Sequence, residues 1–108
     1  MTDAAGAALS ALRALCAATV EPPATDADPE EILTRGRQVV ASREQPLQDL
    51  AAALERDPKA LHGAADAGAL YASIQERAAG WQAALARARH LVGERTQAFS
   101  RLRGRRQP

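Results

Sequence analysis

Cysteine, histidine and paired carboxylates are the side chains here whose chemistry goes beyond packing, and their spacing nominates no reaction. Cys16 is the only cysteine, so it has no partner for an intrachain disulfide or for a zinc site. It shares a helical face with Leu9 and Leu12, where a free cysteine packs as a small hydrophobe. His62 and His90 have no neighbours at metal-ligand spacing, and His90 falls beside an apolar stripe as a surface or boundary residue. Glu30 and Glu31 form an acidic pair, but a helix start at Asp28-Pro29 accounts for both. No strand is present for a glycine-rich phosphate loop to follow. The sequence therefore names no catalytic, metal-binding or cofactor-binding residue, and the expectation is a protein that is not an enzyme.

What remains is charge. The formal net charge is +1, yet residues 1–31 hold six acidic residues against Arg13, a local charge of −5. Residues 77–108 hold eight arginines against Glu94, a local charge of +7. Arg101, Arg103, Arg105 and Arg106 close this basic stretch. Cations at a helix C-terminus complement its dipole, which ranks first; docking on an acidic protein ranks second. Nucleic-acid binding ranks last, because aromatic interleaving, helix-turn-helix spacing and overall basic charge are all missing.

The elements that must carry these groups are helices. Of the 108 residues 46% are apolar, but 27 are alanine, leaving only 23 larger apolar residues. Alanine favours helix and removes little area from water, so the chain forms helices readily around a thin core. Elongation or a partner's surface makes up such a deficit. No charge-free stretch approaches the roughly 20 residues of a membrane span, and the start lacks the pattern of a secretory signal. With one cysteine, the expected compartment is the reducing cytoplasm, without membrane insertion.

A single domain over 1–108 is expected. Its first helix covers about 3–19, capped by Thr2 or Asp3, with a stripe of Leu9, Leu12, Leu15, Cys16 and Val20. Glu21-Pro22-Pro23 ends it, and 21–28 has linker composition. Asp28-Pro29-Glu30-Glu31 starts a second helix over about 29–56. Its heptad ladder is Leu33, Gly36, Val40, Arg43, Leu47, Leu50 and Leu54, widened by Ile32 and Val39. Pro46 forfeits the bond to Ser42 and bends this helix, but the stripe keeps its phase and predicts one kinked helix. Asp57-Pro58 ends it.

A third helix over about 66–103 follows, with Asp66 as its cap and a basic tail at 104–108. Its ladder is Tyr71, Ile74, Ala78, Trp81, Leu85, Ala88, Val92, Arg95, Phe99 and Leu102. Trp81 reads as core, since large aromatics carry much of the burial in small proteins. Arg43 and Arg95, in frame on apolar ladders, read as stems laid on apolar surface with heads in water. The fold class is all-α: an elongated antiparallel helical hairpin or three-helix bundle with coiled-coil-like packing. Helices of about 42 Å and about 56 Å joined by a short turn leave the longer one overrunning its partner by roughly two turns or more. Phe99 and Leu102 lie on that overhang.

The stretch Arg43-Glu44-Gln45-Pro46-Leu47-Gln48-Asp49-Leu50 precedes an acidic-proline break, Glu55-Arg56-Asp57-Pro58. A long helix then runs from Trp81-Gln82-Ala83-Ala84-Leu85 to Phe99-Ser100-Arg101-Leu102-Arg103-Gly104-Arg105-Arg106. From about Ile32 to Arg106 this arrangement resembles the FliT-type flagellar export chaperones, with FlgN-type chaperones as relatives in design. The resemblance implies a cytoplasmic chaperone that holds an amphipathic helix of a late flagellar substrate, the filament cap or a hook-associated protein. Holding it prevents premature assembly and assists type III export, with contact to the export apparatus. It further implies that Leu85, Val92, Phe99 and Leu102 line the client groove while Arg95 and Arg101 meet acidic groups at its edge. Two other functions fit the helical pattern: a self-associating coiled-coil adaptor, working as a homodimer without a client, and a nucleic-acid-associated protein using the basic end.

Overall fold

The computed structural model describes residues 3–106; Thr2, one of the two proposed first caps, and Pro108 lie outside them. Three helices follow in order: α1 (Ala4–Ala18), α2 (Pro29–Arg56) and α3 (Ala67–Arg106), with no strand among the described residues. The fold is all-α and elongated, 72 × 22 × 17 Å. Asp3 caps α1, its carboxylate accepting the Ala5 N–H at 3.3 Å. Thr19 closes α1 from inside the core: its N–H and hydroxyl both donate to the Leu15 carbonyl, at 2.9 and 2.8 Å. Pro22 and Pro23 then offer no N–H with which the helix could continue.

Asp28 starts α2 by accepting the Glu31 N–H at 3.2 Å, with Pro29 in the first helical position. The helix passes through Pro46 as one element. The Ser42 carbonyl loses its partner there, but Ser42 is exposed and water can replace it. Asp57 ends α2 in an extended conformation, and a run of turns leads to α3. Asp66 accepts the Leu70 N–H through its carbonyl, while its carboxylate lies 3.5 Å from Arg13. The helix does not stop at about Arg103 but carries on through Gly104 to Arg106, taking in part of the expected basic tail. One glycine costs about 1 kcal/mol, which the surrounding arginines and Leu102, good helix formers, can offset.

The chain packs α1 antiparallel to α2 and beside the first half of α3. Ala8 meets Ala53 and Ala60, and further along Leu12 and Leu15 meet Ala67 and Ile74. Ile32 of α2 packs on Trp81, Ala84 and Ala88 at the other end of the hairpin. Much of each expected stripe is buried, including Leu12, Leu15, Ile32, Ile74, Trp81 and Ala88, but a third helix pressing on the hairpin turns other stripe residues outward. On α1 the buried set is Ala8, Ala11, Leu12 and Leu15, with Val20 43% exposed. On α2, Ile32, Gly36 and Ala53 turn inward, while Val40 is 64% and Leu47 45% exposed. On α3, Ala67, Ile74, Trp81 and Ala88 recur every seven residues and Tyr71 is left outside. Alanine explains the shift: helices approach most closely where side chains are smallest, so small residues win the seam from larger ones beside them.

Between α1 and α2 the linker lies along α3, and Trp81 holds it there. The indole N–H donates to the Val20 carbonyl at 2.8 Å, and the guanidinium of Arg35 sits 5.7 Å from the ring centre. One turn back, Arg77 donates to the Cys16 and Thr19 carbonyls, each at 3.4 Å, and lies 3.5 Å from Glu21. Cys16 is half-buried beneath that guanidinium. Pro22 rests against Gly80 so closely that a Cβ there would meet its ring at 2.5 Å. Gly93, by contrast, has nothing within 4 Å of such a Cβ. These two mid-helix glycines should therefore respond oppositely to alanine. Gly93→Ala should raise stability by roughly 0.5–1 kcal/mol from helix propensity. Gly80→Ala should lower it by about 1–3 kcal/mol, because the rigid proline ring has to move. Thermal unfolding followed by circular dichroism would separate the two; equal shifts would show that the linker does not depend on this contact.

Candidate partner-binding surface

The hairpin register decides what α3 leaves bare. Asp28, the cap of α2, lies 3.6 Å from Arg95, so α2 begins at the level of Arg95 and runs back toward the turn. Eleven residues of α3 follow Arg95, about 16 Å or three turns, with no helix alongside. Residues 93–103 are all exposed. Phe99 is 63% exposed and Leu102 58%, a large apolar pair in water toward the C-terminal end of α3. Arg103 stands over Phe99, its guanidinium carbon 5.9 Å from the ring centre. α1 does not cover this end, because it packs near the turn between α2 and α3.

A second opening lies between α2 and α3 on the side away from α1. Leu33, Gly36 and Val40 form one wall and Leu85 the other, with Arg37 and Arg89 on the rim. Leu85 lies over Gly36, where a Cβ would come within 2.5 Å of a Leu85 methyl. Deeper in the same cleft, Arg43 is half-buried beside Ala78, Trp81 and Gln82. Its Nε is buried without a hydrogen-bond partner, a polar atom that native cores rarely leave unmet. The stem of Arg43 thus lies on apolar surface, but part of its head is drawn inside.

Five of the six residues singled out from the sequence fall on one side of α3, and one does not. Leu85 and Val92 are half-buried and, with Phe99, form a row spaced by seven. Arg95 and Leu102 make the adjoining row. Arg101 lies two residues from Phe99, about 200° around the helix, and points away from the apolar row. Arg103 occupies the edge position instead. The α2 wall was hidden in the sequence because Val40 and Leu47 read as seam residues. The signal that could have exposed it is Ala53, a small residue off the expected ladder, which takes the seam together with Gly36 of the ladder.

Among the described residues no group of three His, Cys, Asp or Glu side chains is placed to hold a metal ion. His90 lies 3.1 Å from Glu94 one turn on, with both side chains exposed. None of the described helices is long and apolar enough to cross a membrane. The chain matches no protein-family model, no curated protein and no solved structure.

The exposed end makes a direct forecast about stability. Replacing Phe99 and Leu102 together by serine should leave helicity intact and change unfolding stability by less than about 0.5 kcal/mol. Trp81→Ala, by contrast, should cost roughly 3–5 kcal/mol as a buried aromatic. Urea titration of both variants checks this. A double-serine variant as unstable as Trp81→Ala would place Phe99 and Leu102 in a core.

Proposed function

We propose that the protein is a small cytoplasmic chaperone of the flagellar export type, which receives an amphipathic helix of a late flagellar substrate on the bare end of α3. The observation that carries this reading is the unpartnered continuation of the α3 seam, Phe99 and Leu102, past the start of α2. A helix laid beside that seam would extend α2's line of packing and bury both side chains. It would be read through anchors spaced by three and four residues. Arg95, Arg101 and Arg103 outnumber the nearby acids Glu94 and Asp28, so the fitting helix is acidic on its flanks. The filament cap protein or a hook-associated protein would supply it, and the chaperone would release it to the export apparatus. The basic end alone would also suit nucleic acid, but phosphate binding gives no role to an exposed phenylalanine and leucine in adjoining rows.

Capture from a flagellated source strain, with the tagged protein as bait at moderate salt, tests the reading. Wild type should retain a cap or hook-associated protein, and the Phe99→Ser, Leu102→Ser variant should lose at least 90% of it, equivalent to about 1.4 kcal/mol or more. Retention of no flagellar protein from cells making flagella would refute the proposal. Partners that vanish on nuclease treatment would favour nucleic acid.

A further inference from the structure

The cleft between α2 and α3 gathers positive charge that nothing in the protein answers. Its wider part, about 320 Å³, has Leu33, Gly36, Val40 and Leu85 for walls and Arg37 and Arg89 at the rim. Its narrower part, about 160 Å³, shares Gly36, Val40 and Leu85 and is closed by Arg43, Trp81 and Gln82. The shared walls make the two parts one continuous cleft. No aspartate or glutamate lines either part. Among the described residues Arg37, Arg43 and Arg89 have no ion pair or hydrogen bond, whereas Arg13, Arg77 and Arg95 each have a carboxylate at 3.6 Å or less. Glu44, beside Arg43 in the chain, is exposed and pairs with none of them.

Arg43 differs from the other two. Arg37 and Arg89 are exposed, so water solvates them; Arg43 is half-buried, and its Nε is shut away without an acceptor from the walls. We infer that the cleft takes a single-chain anionic amphiphile of the fatty-acid kind, its carboxylate on Arg43 and its chain along Val40, Leu85 and Leu33. A carboxylate accepts from a guanidinium in paired, charge-assisted bonds. Such a pair gains most where water is excluded, at Arg43 and not at the rim. The Gln82 amide, at the same end of the cleft, can donate to the same carboxylate. The chain would cover Val40, which is 64% exposed, together with Leu33 and Leu85.

Arg37 and Arg89 lay their stems beside the chain and keep their heads in water, where their charge draws anions toward the mouth. Neither half of the ligand suffices alone. A bare anion leaves the apolar walls uncovered, and an uncharged chain leaves the Arg43 N–H unmet. The size of the wider part falls at the low end of small-molecule pockets, roughly 300–1,000 Å³, which suits one acyl chain and not two. The cleft shares Leu85 with the row ascribed to the client, but the inference does not depend on that reading.

Trp81 is the only tryptophan and lines the cleft, so its fluorescence reports occupancy at the site itself. Titration of the full-length protein with laurate, below its micelle concentration, should shift the emission saturably, with one laurate per chain by calorimetry. Acetate, the charge without the chain, and dodecanol, the chain without the charge, should each bind at least about tenfold more weakly. Arg43→Met keeps an apolar stem and removes the unmet N–H, so it should be at least as stable as wild type. It should bind laurate at least about tenfold more weakly. Val40→Glu, an acid placed at an exposed position of the cleft, should keep wild-type helicity and weaken laurate as much.

Absence of saturable laurate binding to wild type overturns the inference, as does dodecanol binding as tightly as laurate. Unchanged laurate binding by either folded variant overturns it as well. Binding to phosphatidylglycerol vesicles but not to monomeric laurate would assign the arginines to a membrane surface. Binding to an acidic amphipathic peptide but not to laurate would assign the cleft to a protein partner; both results count against the inference. A failed flagellar capture alters none of these outcomes, so the two readings fail separately.

Discussion

The hydrogen bond from Trp81 to the Val20 carbonyl sits where everything else in the molecule is decided. It joins the end of α1 to the middle of α3, at the level where α2 packs through Ile32. A core made largely of alanine supplies little hydrophobic stabilisation per contact, so one buried indole carries a disproportionate share of the burial. The bond also gives direction to a linker that has no regular structure of its own. With Val20 fixed, Pro22 falls on Gly80, Arg77 reaches the carbonyls at the end of α1, and the chain is led along α3 until Asp28 meets Arg95. The position of the linker therefore sets where α2 can begin.

From that start the rest of the surface follows. A helix of 28 residues beginning beside Arg95 returns to the turn without reaching further along α3, which runs on to Arg106. α1 is short and is committed to the turn end by Leu12 and Leu15, where it buries Ala53 of α2 and Ala60 of the turn. Neither helix is left to cover Phe99 and Leu102, and neither lies over Val40 and Leu85. The bare end and the open cleft thus have one cause: a packing scheme in which small residues hold the closest contacts and larger ones are displaced to the margins.

This displacement marks the limit of what the residues reveal in order. Helix starts were legible because caps are local: Asp3 and Asp28 each bond an amide within three residues, and Pro29 suits its position wherever the helix packs. The overhang was legible because it needs only two lengths and a short turn. The buried face was less so. The expected ladder held Gly36 rightly but took Leu33, Val40 and Leu47 on size, whereas contact between three helices favours Ala53, which no count of large residues selects. Arg101 shows the same limit at finer grain, since two residues separate it from Phe99 in the chain and half a helical turn separates them in space. The roles of Arg77 and Gly80 depend on a linker more than fifty residues away and had no local signal at all.

The exposed end of α3 is also ordered before anything binds it, which bears on how a partner would use it. Starting a helix is the costly step, and residues after Arg95 only extend one already nucleated by the packing of Trp81 and Ala88. Arginine, leucine, glutamine and alanine there are good helix formers, and cations near the C-terminus complement the dipole. Phe99 and Leu102 are thus held in a double row without a neighbour to hold them. A partner meeting that row need not supply the free energy of folding it, so more of the area it buries is left as affinity. The same arginines that extend the helix repel a like-charged end and favour an acidic one. Order, apolar anchors and charge selection come from one short segment, because the residues that continue the helix are the residues that choose what may lie against it.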